Sequence, residues 1–186
     1  SGLYVDGVLQ AGRHRADVRA YGALGSQAKG SSLLASVEVG RAFAVAPGWT
    51  VEPQLQLVHQ RLSLDDTLIQ GLTTVQQDAA SGWAVRAGVR VAGSFTTAAG
   101  VLQPYARLNL WHSGSGTDRA RFVGPAAFTD VSTRTGGSRT ELAVGANWQI
   151  TPAVAAYGEL GQLWSSGGGT KTKGGPSASV GVKLRW

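Results

Sequence analysis

The sequence predicts an all-β fold, a transmembrane antiparallel up-and-down β-barrel. Three observations carry this: apolar residues recur at every second position along most of the chain, short and long connections alternate, and no amphipathic helix of useful length is present. A length of 186 residues suits one domain, 1–186. With 42% hydrophobic and 15% charged residues the chain is not of the disordered class, and with no cysteine it has neither a disulfide scaffold nor a cysteine zinc site. The 27 glycines follow no three-residue period and suit many turns between closely packed strands. No methionine occurs and Ser1 opens no charged-then-apolar leader, so the sequence reads as a mature or excised segment.

Eight strands follow in order. Leu3, Val5, Gly7, Leu9 and Ala11 alternate with Tyr4, Asp6, Val8 and Gln10; Leu33, Ala35, Val37 and Val39 alternate with Leu34, Ser36 and Glu38. Trp49, Val51, Pro53, Leu55 and Leu57 oppose Thr50, Glu52, Gln54 and Gln56, and Trp83, Val85, Ala87, Val89 and Val91 oppose Ala84, Arg86, Gly88 and Arg90. Leu102, Pro104, Ala106, Leu108 and Leu110 oppose Gln103, Tyr105, Arg107 and Asn109. The charge-free run after Glu141 invites a membrane helix, but Asn147, Gln149 and Pro152 interrupt it, and about 18 predominantly apolar residues would be needed. Its period is two, with Leu142, Val144, Ala146, Trp148 and Ile150 on one face, so it is a strand. Val154, Ala156, Gly158 and Leu160 oppose Tyr157, Glu159 and Gly161, and the last strand sets Ala178, Val180, Val182, Leu184 and Trp186 against Ser179, Gly181, Lys183 and Arg185.

Ala46-Pro47-Gly48, Thr97-Ala98-Ala99-Gly100 and Thr151-Pro152-Ala153 are short turns, whereas residues 22–30, 63–82, 113–138 and 165–176 read as long polar loops. Strict alternation of the two kinds is expected when every strand crosses one slab whose sides differ, as in outer-membrane barrels. A loose repeat places Pro53 and Pro104 shortly after two of the turns, at strand starts, where the missing ladder donor is tolerated.

Opposite the apolar stripes lie five acids, Asp6, Glu38, Glu52, Glu141 and Glu159, and five bases, Arg86, Arg90, Arg107, Lys183 and Arg185. Equal numbers available for pairing fit an enclosed polar lumen, where unpaired charges are costly. Trp49, Trp83, Trp111, Trp148, Trp164 and Trp186 fall near strand ends, the height at which amphipathic rings form an aromatic girdle. Two other architectures share the pattern: a complete eight-stranded membrane barrel acting in adhesion or surface-ligand binding, which requires closure between the first and last strands, and a soluble barrel-type binding module with its apolar face inside.

Val180, Val182, Leu184 and the terminal Trp186 resemble the signal read by the outer-membrane barrel assembly machinery. The segments Leu3-Tyr4-Val5-Asp6-Gly7-Val8-Leu9-Gln10, Val37-Glu38-Val39-Gly40-Arg41-Ala42-Phe43, Glu52-Pro53-Gln54-Leu55, Gln103-Pro104-Tyr105-Ala106 and Arg139-Thr140-Glu141-Leu142-Ala143-Val144-Gly145 resemble the translocator barrel of the classical autotransporters, the pertactin-like family. The resemblance runs along the whole chain and corresponds to strands five to twelve of a twelve-stranded barrel, with Ser1-Gly2 in the turn before strand five and the pore helix and first four strands not represented. It implies type V secretion: a barrel in the outer membrane of a Gram-negative bacterium that exports its own attached passenger to the cell surface, without a cofactor, and acting as a monomer rather than as an enzyme. Some family members release the passenger by cyclisation of an asparagine in the pore. By motif the lumen acids used there fall on Asp6 and Glu38, while a third acidic position falls on Gln56.

His14, His59 and His112 lie in different segments without metal-ligand spacing, no nucleophile elbow frames any serine, and the glycines around Lys171 and Lys173 have no strand-to-helix phosphate loop. The net charge of +6 does not point to nucleic acid. Setting aside the five lumen acids and five lumen bases leaves 12 basic and 6 acidic residues in loops and strand ends. Arg13, Arg15, Arg19, Lys29, Arg119, Arg121, Arg134, Arg139, Lys171 and Lys173 lie on or near the long-loop side, a basic rim suited to the phosphates of lipopolysaccharide.

Overall fold

A computed structural model describes residues 2–20, 24–69, 73–79, 81–167 and 174–186. Eight long strands form one curled antiparallel sheet: β1 (Gly2–Ala20), β2 (Leu24–Ala46), β3 (Trp49–Leu64), β6 (Gly82–Gly93), β8 (Gly100–Val123), β9 (Phe128–Gln149), β10 (Val154–Ser166) and β11 (Gly175–Leu184). They lie in chain order. Three short pieces decorate this path: β4 (Thr67–Ile69) pairs with β5 (Thr73–Asp78), β5 continues onto β8, and β7 (Phe95–Thr97) pairs with the start of β8. Among the described residues β1 pairs only with β2 and β11 only with β10, so the sheet is a half-barrel with two open edges. Among the described residues the closure needed for a complete eight-stranded barrel is not found.

The three short turns fall where the sequence places them. Gly48, at φ +75°, follows Pro47 in the β2–β3 turn; the ring presets the first turn position and glycine supplies the left-handed second. The long loops are different. Much of 113–138 is an extension of the β8–β9 ladder out to Val123 and Phe128, and most of 24–30 extends β2 against β1. Strands of 19 to 24 residues result, where about 9–11 cross a bilayer. The polar residues of these segments hid ladders that continue beyond the slab, because a solvated hairpin needs no apolar stripe.

Pro53 and Pro104 sit at the fifth positions of β3 and β8, not at their first. Each marks an interruption in pairing. The β2–β3 register passes from Gly40↔Gln54 to Phe43↔Val51, skipping the stretch opposite Pro53, and the β6–β8 ladder ends at Ala92↔Tyr105, next to Pro104.

Between these breaks the register keeps the two faces separate. One row runs Asp6, Glu38, Gln56, Arg86, Trp111, Arg139, Ser165 across seven strands; its neighbour two residues away runs Tyr4, Gly40, Gln54, Gly88, Asn109, Glu141, Leu163. The other face carries Val5, Val39, Leu55, Ala87 and Leu110 in a single row. Side chains on the first face reach across an intervening strand to one another, which places it on the concave side. The apolar side chains point outward, with Val5 70%, Leu9 76% and Val180 85% exposed, while the concave side buries Arg86 to 8% and Asn109 to 4%. Such inversion excludes a soluble barrel, whose leucines would be inside.

Inward tyrosines lie opposite glycines: Tyr4 with Gly40, Tyr105 with Gly145 and Tyr157 with Gly181. A Cβ on Gly40 would stand 2.6 Å from the Tyr4 ring, so the ring occupies the space the glycine leaves.

Outward-facing Leu55 lies between the Trp49 and Trp83 levels. Leu55→Arg is expected to destabilise the inserted domain by about 2–4 kcal/mol, measured by urea unfolding in lipid vesicles, whereas Leu55→Phe leaves the midpoint close to wild type.

Candidate functional site

The concave face holds a continuous polar network from β1 to β10. The Tyr4 hydroxyl lies 2.7 Å from Glu38 Oε1 and 3.2 Å from Glu52 Oε1, and Gln54 Nε2 donates to Glu52 at 2.6 Å. Arg86, on β6, is the hub. Its Nη2 donates to Glu38 Oε2 at 2.7 Å across the width of β3, Nε to Gln56 at 3.0 Å, and Nη1 to Gln54 at 3.1 Å and Asn109 at 3.0 Å. Asn109 passes the chain on to Glu141 at 3.2 Å. Arg107 then bridges two acids, Glu141 at 2.9 Å and Glu159 at 2.8 Å, and the Tyr105 hydroxyl donates to the second oxygen of Glu159 at 2.8 Å.

Geometry and burial explain why these groups hold together. The Arg86–Glu38 pair is largely buried, with side chains 10% and 19% exposed, and every charged oxygen or nitrogen it places there has a partner. Removing one member leaves the other as an uncompensated charge. The 37% exposed Arg107 is more solvated, so its two ion pairs are screened and weaker.

One-to-one pairing of five acids with five bases does not occur. Two arginines neutralise three acids, and Glu52 is held by Tyr4 and Gln54 instead of by a base, although Arg90 is its register neighbour. Arg90 lies over the Tyr105 ring at 5.0 Å. Among the described residues Asp6, Arg90, Lys183 and Arg185 enter no ion pair. Tyr4, Gln54, Tyr105 and Asn109 escape a reading restricted to charges. Their shared parity with the charged residues was the available signal, since any polar side chain on that face has the same solvation problem.

Above the network, toward the long connections, the concave side lines an open cavity of about 1430 Å³ bordered by Gln10, Ser36, Gln60, Trp111 and Arg139. Trp111 belongs here and not to an outer girdle. It stands in the Arg86 row, in the middle of β8, with the Arg86 guanidinium 5.6 Å from its ring centre. The sequence places it at a strand end only because β8 continues, unmarked by apolar residues, for another twelve positions. Trp49, Trp83, Trp148 and Trp164 lie on the outward face, and Trp186 follows the end of β11, where Val180, Val182 and Leu184 are all outward and exposed.

The basic rim divides. Arg13, Arg15 and Lys29 are outward on the β1–β2 hairpin, whereas Arg139 is inward. Arg121 is bound in a two-point contact to Asp130 and covers Phe128. Arg119 lies two positions away on the same extended hairpin, and Arg134 also lies on it. The side chain of Arg19, and Lys171 and Lys173 with Gly168 and Gly169, lie outside the described residues, as does Ser1. The histidines are dispersed: His14 meets Ser32 Oγ, His112 meets Ser138 Oγ, and His59 stacks on Trp83 at 4.3 Å.

An inverted half-barrel with a built polar interior defines an outer-membrane β-barrel domain. The chain matches the family model for the autotransporter β-domain over residues 1–161. It is 31% identical to the pertactin autotransporter of Bordetella bronchiseptica over 89% of this chain and 18% of that protein, and equally similar to the pertactin autotransporter of Bordetella parapertussis. It is 25% identical to the autotransporter CRAC of Citrobacter rodentium over the whole chain and 11% of that protein. The chain therefore spans less than a fifth of the length of these relatives. It belongs to the autotransporter β-domain family: it is a type V secretion translocator domain of the Gram-negative outer membrane, not an enzyme domain.

Two measurements test the site. Arg86→Met is expected to cost about 3–5 kcal/mol by stranding Glu38, read as a lower urea midpoint in detergent, and adding Glu38→Met recovers part of the loss. Outside the membrane-spanning segments, the hydrogen bonds from Arg121 hold the Asp130 carboxyl below its ordinary range. A lowered folded value means that the pair's contribution is present at neutral pH and is lost as pH falls through the Asp130 pKa. The titration midpoint of Asp130, followed by carboxyl NMR, is expected below about 3.9, and Arg121→Gln returns it toward that value.

Proposed function

We propose that this domain, within its full-length protein, supports export of an attached passenger to the cell surface by offering that passenger a hydrated, hydrogen-bonded interior sealed from lipid. The observation that carries this is the opposition of the two faces: an unbroken polar network from Tyr4 to Glu159 backs directly onto an apolar surface. A polar segment can reside on such an interior without its backbone entering hydrocarbon. The open edges at β1 and β11 fit a sheet completed by further strands of a twelve-stranded barrel. Trp49, Trp83, Trp148, Trp164 and Trp186 act as the interfacial girdle, and the alternating Val180, Val182, Leu184 and Trp186 engage the barrel assembly machinery. In cells producing the full-length protein, Trp186→Ser is expected to lower the amount of barrel inserted and, in proportion, the passenger exposed to external protease. Normal insertion with no surface passenger overturns the export reading, and unchanged insertion overturns the role given to Trp186.

One-turnover release of the passenger is a second reading, favoured by one observation. Asp6, Glu38 and Gln56 form consecutive members of a single cross-strand row, and among the described residues Asp6 has no ion-pair partner beside Glu38. A carboxylate so placed can orient an asparagine amide for cyclisation in a site sheltered from bulk water. Asp6→Asn in the full-length protein is expected to leave the passenger covalently attached; release at the wild-type rate overturns this reading.

A further inference from the structure

The outward face of β1–β3 changes character abruptly toward the long connections. Successive rows, two residues apart, rise by about 6.6–6.8 Å along a strand. The row Gly7, Val37, Leu57, Val85 is apolar or glycine throughout. Next comes Leu9, Ala35, His59, Trp83, in which the indole stacks on the imidazole with centroids 4.3 Å apart. An amphipathic ring at the upper limit of an apolar belt marks the level of the lipid headgroups. The row immediately beyond it introduces Arg61 opposite Leu33, the following one sets Arg13 against Ser31 and Ser63, and the third sets Arg15 against Lys29.

Four cations thus occupy three adjacent rows on the face that continues the lipid-exposed surface. Arg13 and Arg61 border a groove of about 480 Å³ whose floor includes Ser31 and Ser63. By strand spacing and the one-row offset the two arginines stand on either side of β2, roughly 11.5 Å apart at the backbone, a span that two long side chains bridge to one tetrahedral anion. Among the described residues none of the four enters an ion pair. Two carboxylates flank the set: Asp17, one row past Arg15, accepts from Gln27 Nε2 at 3.0 Å, and Asp65 follows the end of β3 beside Lys29, its N–H donating to the Lys29 carbonyl at 2.9 Å. Directly opposed like charges such as Arg15 and Lys29 are destabilising in a sheet unless an anion offsets them.

We propose that Arg13, Arg61, Arg15 and Lys29, with the hydroxyls of Ser31 and Ser63, form a binding site for the phosphate groups of a membrane lipid in the leaflet on the long-connection side, as carried by lipid A. The occupant is a lipid and not a soluble polyanion because the groove opens on the lipid-facing surface, one row above the Trp83 interface marker, and Leu9 and Leu33 lie within or directly beneath it for the acyl-proximal part of the headgroup. Guanidinium forks match phosphate oxygens in two-point contacts, and the serine hydroxyls can donate to the same oxygens. The site belongs to the β1–β3 outer surface alone. It does not include the inward Arg139 or the Asp130-bound Arg121, so it is narrower than a basic rim and includes Arg61, which lies on β3.

This inference rests on the membrane-barrel reading, and the experiment separates the two. Full-length protein solubilised in detergent is titrated with lipid A carrying both phosphates, with the same lipid dephosphorylated, and with inorganic phosphate, and adducts are counted by native mass spectrometry. Heat-modifiable electrophoretic mobility is recorded in parallel as the measure of an intact barrel. The expected result is a saturable adduct with phosphorylated lipid only, weakened by salt and weakened roughly tenfold or more in the Arg13→Gln/Arg61→Gln variant, while Arg119→Gln on the β8–β9 hairpin binds as wild type. An intact wild-type barrel that binds the dephosphorylated lipid equally, or prefers inorganic phosphate, overturns the site and leaves the barrel reading standing. Equal binding by Arg13→Gln/Arg61→Gln also overturns it. Should that variant fail to fold, the comparison of the three ligands on the wild-type protein decides the matter. A wild-type chain that forms no heat-modifiable barrel at all overturns the underlying reading instead.

Discussion

A strand presents its side chains to two faces with a period of two, so a sheet that holds hydrocarbon on one side and charge on the other cannot slip by a single residue. Every other feature of this domain depends on that register. One step of slippage in β6 would carry Arg86 onto the lipid-facing surface and turn Val85 into a ring of ionised side chains. The Arg86 hub is itself a register lock: its guanidinium meets Glu38, Gln56, Gln54 and Asn109, contributed by β2, β3 and β8, only in the observed pairing. Hydrophobic packing cannot perform this function here. Val75 and Ala143 are the buried hydrophobic residues among those described, and no large side chain is completely buried.

The interior is consequently stabilised by satisfying polar groups, an arrangement with a different failure mode from that of an oily core. A cavity in an apolar core costs in proportion to the atoms removed, whereas a missing partner in a low-dielectric network exposes a whole charge to the cost of desolvation. The tyrosines serve this arrangement in two ways. Each ring covers a glycine on the neighbouring strand, and the hydroxyls of Tyr4 and Tyr105 reach carboxylates that arginine does not fully occupy. Glycine opposite tyrosine thus brings strands close while keeping the polar chain continuous.

Translocation makes contradictory demands on such an interior. It must be wet enough to accept a polar polypeptide and ordered enough not to collapse onto it. The network occupies one level of the concave face, and the cavity of about 1430 Å³ lies above it, its lining mixed: amides and hydroxyls such as Gln10, Gln60 and Ser113, apolar Leu34 and Leu163, and the charged Asp118, Arg139 and Glu141. On the outside the sequence of levels is different: apolar belt, aromatic marker, then cations, matching the polarity profile of a leaflet with anionic headgroups.

The alternation of Leu3 to Ala11, Trp83 to Val91 and Leu142 to Ile150 and the three short turns were legible in the sequence, because period-two patterning and turn chemistry are local and each residue reports its own face. The candidate row Asp6, Glu38 and Gln56 could be named from motif alone, but that its members adjoin one another is a property of pairing between β1, β2 and β3. Which acid meets which base, the placing of Glu52 with Tyr4 and Gln54 instead of Arg90, and the inward turn of Trp111 were decided only by the tertiary structure. Distances across non-adjacent strands depend on the curl of the sheet, and no single strand encodes curl. The same holds for Arg61, whose place beside Arg13 comes from two ladders in register. Polar extensions such as 113–138 carry no stripe to read, since water on both faces removes the only force that would have written one.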